Sequence, residues 1–223
     1  MRDKVLLSYI IIDALFAVTG ALMLGFCVVI KNLMFETPTR GDQAARDLLY
    51  QQFPLNAGIV NAVFIFITFL VTVPGIVMPQ RVWLKLGVSM TVVSAIFSMI
   101  LGLWLWIMTL KTKESFHALW ITQPASVQDL MQTQFECCGY FNSTNPAFVT
   151  DATCPSPAAA ALMKGCSAPL TSYLNVFLDN IFTAIFGMVG IDAVFVVAAA
   201  CLLKDRKERE RFRHIDEKSG ALL

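Results

Sequence analysis

The stretch Phe135-Glu136-Cys137-Cys138-Gly139-Tyr140 decides how this chain is read. Two adjacent cysteines stand in the one long polar segment before the last apolar run. Cys154 and Cys166 follow in the same segment, which therefore holds four of the chain's six cysteines. Neighbouring Cα atoms are ~3.8 Å apart across a trans peptide, less than the roughly 4.4–6.8 Å of a relaxed disulfide. A 137–138 bond is strained, so each cysteine is expected to reach a distant partner. Of the three pairings that four cysteines allow, two remain: 137–166 with 138–154, or 137–154 with 138–166. Either one staples two chain returns onto a single point.

Working outward, the flanks are apolar. Apolar residues make up 57% of the chain and charged residues 15%, against about 25% charged in an average soluble domain. Four runs read as membrane spans: Val5–Ile30, Ala57–Met78, Leu84–Leu110 and Ile181–Leu203. Each reaches or exceeds the roughly 20 residues that cross a hydrocarbon core. The first is too long for the roughly 7–15-residue core of a signal peptide and contains Asp13, so it reads as an uncleaved span. The expected organisation is residues 1–30 as inner tip and first span, 31–56 as small outer loop, and 57–78 as second span. An inner turn at 79–83 joins it to the third span at 84–110. Residues 111–180 form the large outer loop, 181–203 the fourth span and 204–223 the inner tail. The fold class is an all-α membrane protein, four transmembrane helices in an antiparallel bundle with a small disulfide-stapled helical loop domain.

Orientation follows from basic residues. The N-terminal tip, the inner turn with its flank, and the tail carry 11 Lys and Arg, whereas the two other loops carry 6 in a far longer stretch. The excess marks the first set, and both termini, as cytoplasmic. The four clustered cysteines then face an oxidising compartment, where disulfides persist, and Asn142-Ser143-Thr144 is a glycosylation sequon on the same side. A net charge of +1 gives no reason to expect nucleic acid.

Asp13, Asn61 and Asp192 are polar residues inside spans. A mid-span aspartate costs roughly 2.5–3.5 kcal/mol on insertion scales, so such groups are expected to face the bundle interior with a partner. At 1.5 Å per residue Asp13 lies about 12 Å and Asp192 about 17 Å from the inner ends of their spans. The two are expected as neighbours, or Asp13 beside Ser94 or Ser98. Small residues at helical spacing (Asp13, Ala17, Gly20, Ala21 and Gly25 in span one, Gly58 with Asn61 in span two, Gly187 and Gly190 in span four) suit close helix approach in lipid.

In the loops, a short helix is expected across Ala44–Gln52. Lys111–Ile121 continues span three as a helix broken by Pro124. Ser126 is the expected N-cap of a second helix, with Asp129 three residues on. Ala158–Lys164 suits one or two helical turns, and Pro169 opens a last helix that runs into span four. In the tail, Lys204–Glu208, Asp205–Arg209 and Arg206–Glu210 are i, i+4 pairs that support a helical extension.

Four spans, a cysteine-free first loop, a minimal inner turn and a large second loop carrying Cys137-Cys138-Gly139, Thr153-Cys154-Pro155 and Gly165-Cys166 together resemble a tetraspanin. The resemblance covers the whole chain and implies the pairs Cys137–Cys166 and Cys138–Cys154. Asp13 with Gly20 resembles the Asn-and-Gly face of the family's first span, and Gly190-Ile191-Asp192 the Gly-x-Glu of its fourth. The chain departs from animal members in lacking cysteines around the inner turn and an acidic residue in span three, which leaves Cys201 as the candidate palmitoylation site. Its short loop and charged tail look most like the short tetraspanins of filamentous fungi. That subgroup implies polarised growth, appressorium-mediated host penetration and NADPH-oxidase complexes.

The function expected from this resemblance is a non-enzymatic membrane organiser in the plasma membrane or an endomembrane. Its expected partners are other membrane proteins, an NADPH-oxidase complex among them, sterol or other lipid, and further copies of the chain. No cofactor or metal is expected: His117 and His214 fall on opposite sides of the membrane, and no Gly-rich phosphate loop is present. The competing classes are a four-span thiol oxidoreductase and a small transporter. The first favours a Cys-x-x-Cys pair, which the sequence lacks.

Overall fold

The computed structural model describes residues 2–78 and 80–220, without the side chains of 2, 3, 214 and 216–220. Pro79 of the expected inner turn, Met1 of the inner tip and residues 221–223 of the tail lie outside the described residues, as do the tail side chains named above. Among the described residues seven helices follow in chain order: α1 (Arg2–Leu33), α2 (Gly41–Tyr50), α3 (Leu55–Val77), α4 (Arg81–Trp120), α5 (Ala125–Phe135), α6 (Pro157–Leu162) and α7 (Ser167–Gly220). Four of them, α1, α3, α4 and α7, are long and apolar enough to cross a membrane.

The chain divides into two compact units. A bundle unit comprises Met1–Cys27, Asn56–Leu101 and Ala184–Leu223, and a cap unit Val28–Leu55 and Gly102–Thr183. In the bundle unit, Tyr9, Phe16, Ile65, Leu84, Phe195, Ala199 and Leu202 form a buried cluster. Phe195 sets its ring 5.5 Å from Tyr9 and 5.2 Å from Phe16, which draws α7 against α1. Gly20 lets α1 pass close to α3: a Cβ there would stand 2.7 Å from an Ile65 methyl. The expectation fails for Gly25, Gly187 and Gly190: among the described residues a Cβ there would meet nothing within 4 Å, so no helix packs closely against them.

The polar groups of the bundle pair differently from expectation. The Thr72 hydroxyl of α3 donates to Asp13, 2.9 Å from Oδ1. Asp13 therefore finds its partner on span two, and neither Asp192 nor Ser94 nor Ser98 supplies it. The two serines go to Asn61, whose Nδ2 donates to Ser98 Oγ at 2.7 Å while Ser94 donates to its Oδ1 at 3.4 Å. Among the described residues neither oxygen of buried Asp192 has a hydrogen-bond partner.

The cap unit has its own core, built from Ala44, Ala45, Leu48 and Leu49 of α2, Phe116 and Trp120 of α4, Met131 of α5, and Leu170, Leu174 and Leu178 of α7. Gly41 brings α2 onto α5, since a Cβ there would overlap the Leu130 carbonyl and the Gln134 side chain. α5 begins after Pro124, whose extended ψ of 153° makes it the N-cap residue, and no side chain caps the helix. This corrects the assignment of Ser126: the extended residue that ends the turn comes two positions earlier. Gln128 turns instead to the end of α4 and the turn after it, donating to the carbonyls of Trp120 and Gln123 at 3.0 and 3.1 Å.

Asp47 sits in α2 at 8% exposure, and among the described residues its Oδ2 has no hydrogen-bond partner. Burial pushes its carboxyl above the ordinary value, opposed by Arg46 and aided by Glu36. The folded state thus holds this proton more tightly than the unfolded chain, and stability is lost as pH rises through the folded-state pKa. Asp47→Asn is expected to stabilise the cap at pH 7 by roughly 1–2 kcal/mol. The gain should shrink toward pH 4, a comparison that thermal unfolding of the solubilised protein makes directly.

Candidate functional site: the stapled cap

α5 ends where the cysteine pair begins. Glu136 adopts a left-handed conformation (φ 48°), and Cys137 N–H reaches back to the Gln132 carbonyl at 3.2 Å, closing the helix in a Schellman turn. Cys137 bonds to Cys166 with Cα atoms 5.0 Å apart, and Cys138 to Cys154 with 5.9 Å. All four cysteines are buried. The first staple joins the end of α5 to the start of α7. The second draws the 154 turn onto a small cluster of Cys138, Cys154 and Ala160, with Phe148 and Met163 packed against it.

Main-chain bonds stitch the same point. Cys138 N–H donates to the Lys164 carbonyl, Cys166 N–H to Gly139 and Ser167 N–H to Tyr140, at 3.0, 2.9 and 2.8 Å. Gly139 has φ +69°, and a Cβ there would overlap the Asn142 carbonyl. A left-handed residue other than glycine costs roughly 1–2 kcal/mol before any overlap. Gly139→Val is therefore expected to destabilise the cap by more than about 2 kcal/mol, read as a lower midpoint in denaturant with both disulfides intact.

Three residues that the sequence reading passed over hold the site together. Gln132, fully buried on α5, uses its whole amide: Oε1 accepts from Gly139 N–H and Val149 N–H at 3.2 Å each, and Nε2 donates to the Val149 carbonyl at 2.8 Å and to Asp151 at 2.6 Å. Asp151 in turn accepts from the N–H groups of Thr153 and Cys154. Tyr140, also fully buried, donates to the Lys113 carbonyl at 2.6 Å and packs its ring against His117, Trp120 and Phe141. Burial raises its phenol above the ordinary value. No short-range pattern announces Gln132 or Asp151. The aromatic run Tyr140-Phe141 after Gly139 was a usable signal for Tyr140.

Asn142 is exposed beside this point. Its Oδ1 accepts from the Thr144 N–H and hydroxyl, both at 2.9 Å, and from Asn145 N–H at 2.8 Å. Of the two remaining cysteines, Cys201 is exposed on α7 and Cys27 is buried, its sulfur 2.6 Å from where a Cβ on Gly58 would stand. The intramembrane residues Asp13, Asn61 and Asp192 belong to the bundle unit and take no part in the cap. Among the described residues no group of three or more His, Cys, Asp or Glu is arranged to hold a metal.

Four apolar crossing helices and a disulfide-stapled helical cap between the third and fourth of them define a multi-pass membrane protein with a compact non-membrane module. The model of the tetraspanin family matches residues 5–205, and the chain belongs to that family. No curated protein and no solved structure matches it. Tetraspanins are in general non-enzymatic scaffolds that associate with other membrane proteins and with lipids, and membership supports a membrane-organising role for this chain.

Proposed function

We propose that this tetraspanin assembles partner membrane proteins laterally in fungal polarised growth or infection-structure penetration, at the plasma membrane or an endomembrane, with both termini cytoplasmic. The partners we propose are an NADPH-oxidase complex, sterol or other lipid between the spans, and further copies of the chain. The observation that carries this reading is the stapled cap, in which two disulfides and the Gln132 amide hold one surface in a fixed shape. An open groove beside it, between Arg40 and Gly41 at the start of α2, Asp129 and Thr133 on α5, and Asp151, offers polar contacts to a partner's outer domain. The basic excess of the tip, inner turn and tail supports the orientation. We propose further that Asn142 carries an N-glycan and Cys201 an acyl chain, the latter on the strength of its exposure close to the basic tail.

Proximity labelling from the cap in a filamentous fungus tests the reading. Membrane proteins, oxidase subunits among them, are expected to be enriched, and the enrichment should fall when Cys138 and Cys154 are both replaced by serine. A label confined to abundant bystanders, unchanged by that replacement, would overturn it. Asn142→Gln should remove one glycan's mobility shift, and the absence of any shift would remove the glycan from the proposal.

A further inference from the structure

α7 does not end with its apolar run. Past Leu203 it continues as helix to Gly220, about 25 Å more at 1.5 Å per residue. One side of this extension is fastened within the bundle unit. Arg206 donates to the carbonyls of Met78 and Gly75 at 2.8 and 2.5 Å, where α3 ends, and Glu210 pairs with Arg81 at the start of α4. Successive helical residues turn by about 100°. Lys204, Lys207 and Arg211, at i, i+3 and i+7, therefore lie on the side opposite Arg206, flanked by Glu208 and Phe212. All five are exposed, and Phe212 keeps 64% of its surface.

We propose that this face docks an acidic helical segment of a cytosolic protein; the proposal rests on the cytoplasmic placement of the tail given above. Three cations against one anion complement a carboxylate-rich helix, and complementary charge sets partner choice and encounter rate. Phe212 adds the aromatic contact that interface centres favour. Distance separates this occupant from a lipid surface. The headgroup region adds roughly 5–7 Å on each side of the hydrocarbon core, whereas Arg211 and Phe212 lie eight and nine residues past Leu203, about 12–14 Å along the helix. The Arg206 and Glu210 bonds keep the extension on the end of α3 and the start of α4, so it does not lie down on the membrane. Lipid headgroups reach Lys204; a partner helix reaches the whole face.

The test uses the full-length protein in phosphatidylcholine nanodiscs, which leave both membrane faces open, titrated with a fluorescein-labelled acidic helical peptide of Glu, Ala and Leu. Anisotropy is expected to report binding that weakens about tenfold or more in K207E/R211E and in F212A. It should weaken with added salt and stay unchanged in R213E, which alters the fastened side. No binding, or equal binding by K207E/R211E, overturns the proposal. So does loss of peptide binding in phosphatidylserine nanodiscs, because lipid would then occupy the face. Accessibility of a C-terminal epitope in sealed cells reads the topology separately. An epitope found outside removes the cytosolic partner whatever the peptide does.

Discussion

Replacing Gln132 with leucine will loosen the cysteine loop while leaving the side-chain volume nearly unchanged. The amide makes four bonds, to Gly139 N–H, Val149 N–H, the Val149 carbonyl and Asp151. Leucine can make none of them. Each buried group left unpaired costs about 1–3 kcal/mol, and relaxation of the Val149–Asp151 segment recovers only part, so a loss of roughly 3 kcal/mol or more is expected. Hydrogen exchange reads this directly: protection at the Gly139 and Val149 amides should fall about a hundredfold or more. Gln132→Glu sharpens the test, because its carboxylate still accepts from both N–H groups but faces Asp151, 2.6 Å from the present Nε2. Like charges so close hold a proton on the pair in the folded state. Stability should therefore be present at low pH and lost as pH rises through the pair's titration. Unchanged protection in the leucine variant, or a glutamate variant insensitive to pH, would refute this role.

The two staples should fail in a fixed order of severity. Cys137–Cys166 spans a separation of 29 residues and Cys138–Cys154 one of 16, worth roughly 3–4 kcal/mol each in the chain-entropy model. Their surroundings differ more than these values. Cys137 and Cys166 belong to the main cap core with Tyr140, Leu170 and Leu174, whereas Cys138 and Cys154 share a small cluster with Ala160. C138S/C154S is expected to open the 148–163 region to protease while α2, α5 and α7 stay packed. C137S/C166S should release the end of α5 from α7 and expose the whole cap. Mapping cleavage sites by mass spectrometry decides the matter, and the reverse order of severity would sink the idea.

The four crossing helices and the helical stapled loop were legible because apolar length and cysteine clustering are strong local signals. What the sequence hid was long-range. Thr72 is an unremarkable span residue until α1 lies beside α3 and Asp13 meets it. Gln132 acquires its role only when Val149 and Asp151 return to α5. α2 was half legible: Gly41, Ala44, Ala45, Leu48 and Leu49 fall on one helical face, a stripe that announces a packing partner without naming α5. In the tail, the Asp205–Arg209 pair forms within the helix. Arg206 and Glu210 instead leave each other for the Gly75 and Met78 carbonyls and Arg81, because tertiary bonds outweigh a local pair worth a few tenths of a kcal/mol.

The packing of α2 into the cap core also sets a timetable for biosynthesis. α2 is completed roughly 75 residues before α5 begins, and at about 5–20 residues per second that is an interval of several seconds. Its apolar stripe has no α5 to cover it during that time, and the Leu170–Leu178 wall of α7 arrives later still. The first loop therefore waits, uncovered, for two further membrane segments to be inserted. A ribosome that stalls between the third and fourth spans leaves a half-built module whose exposed stripe is a ready mark for quality control.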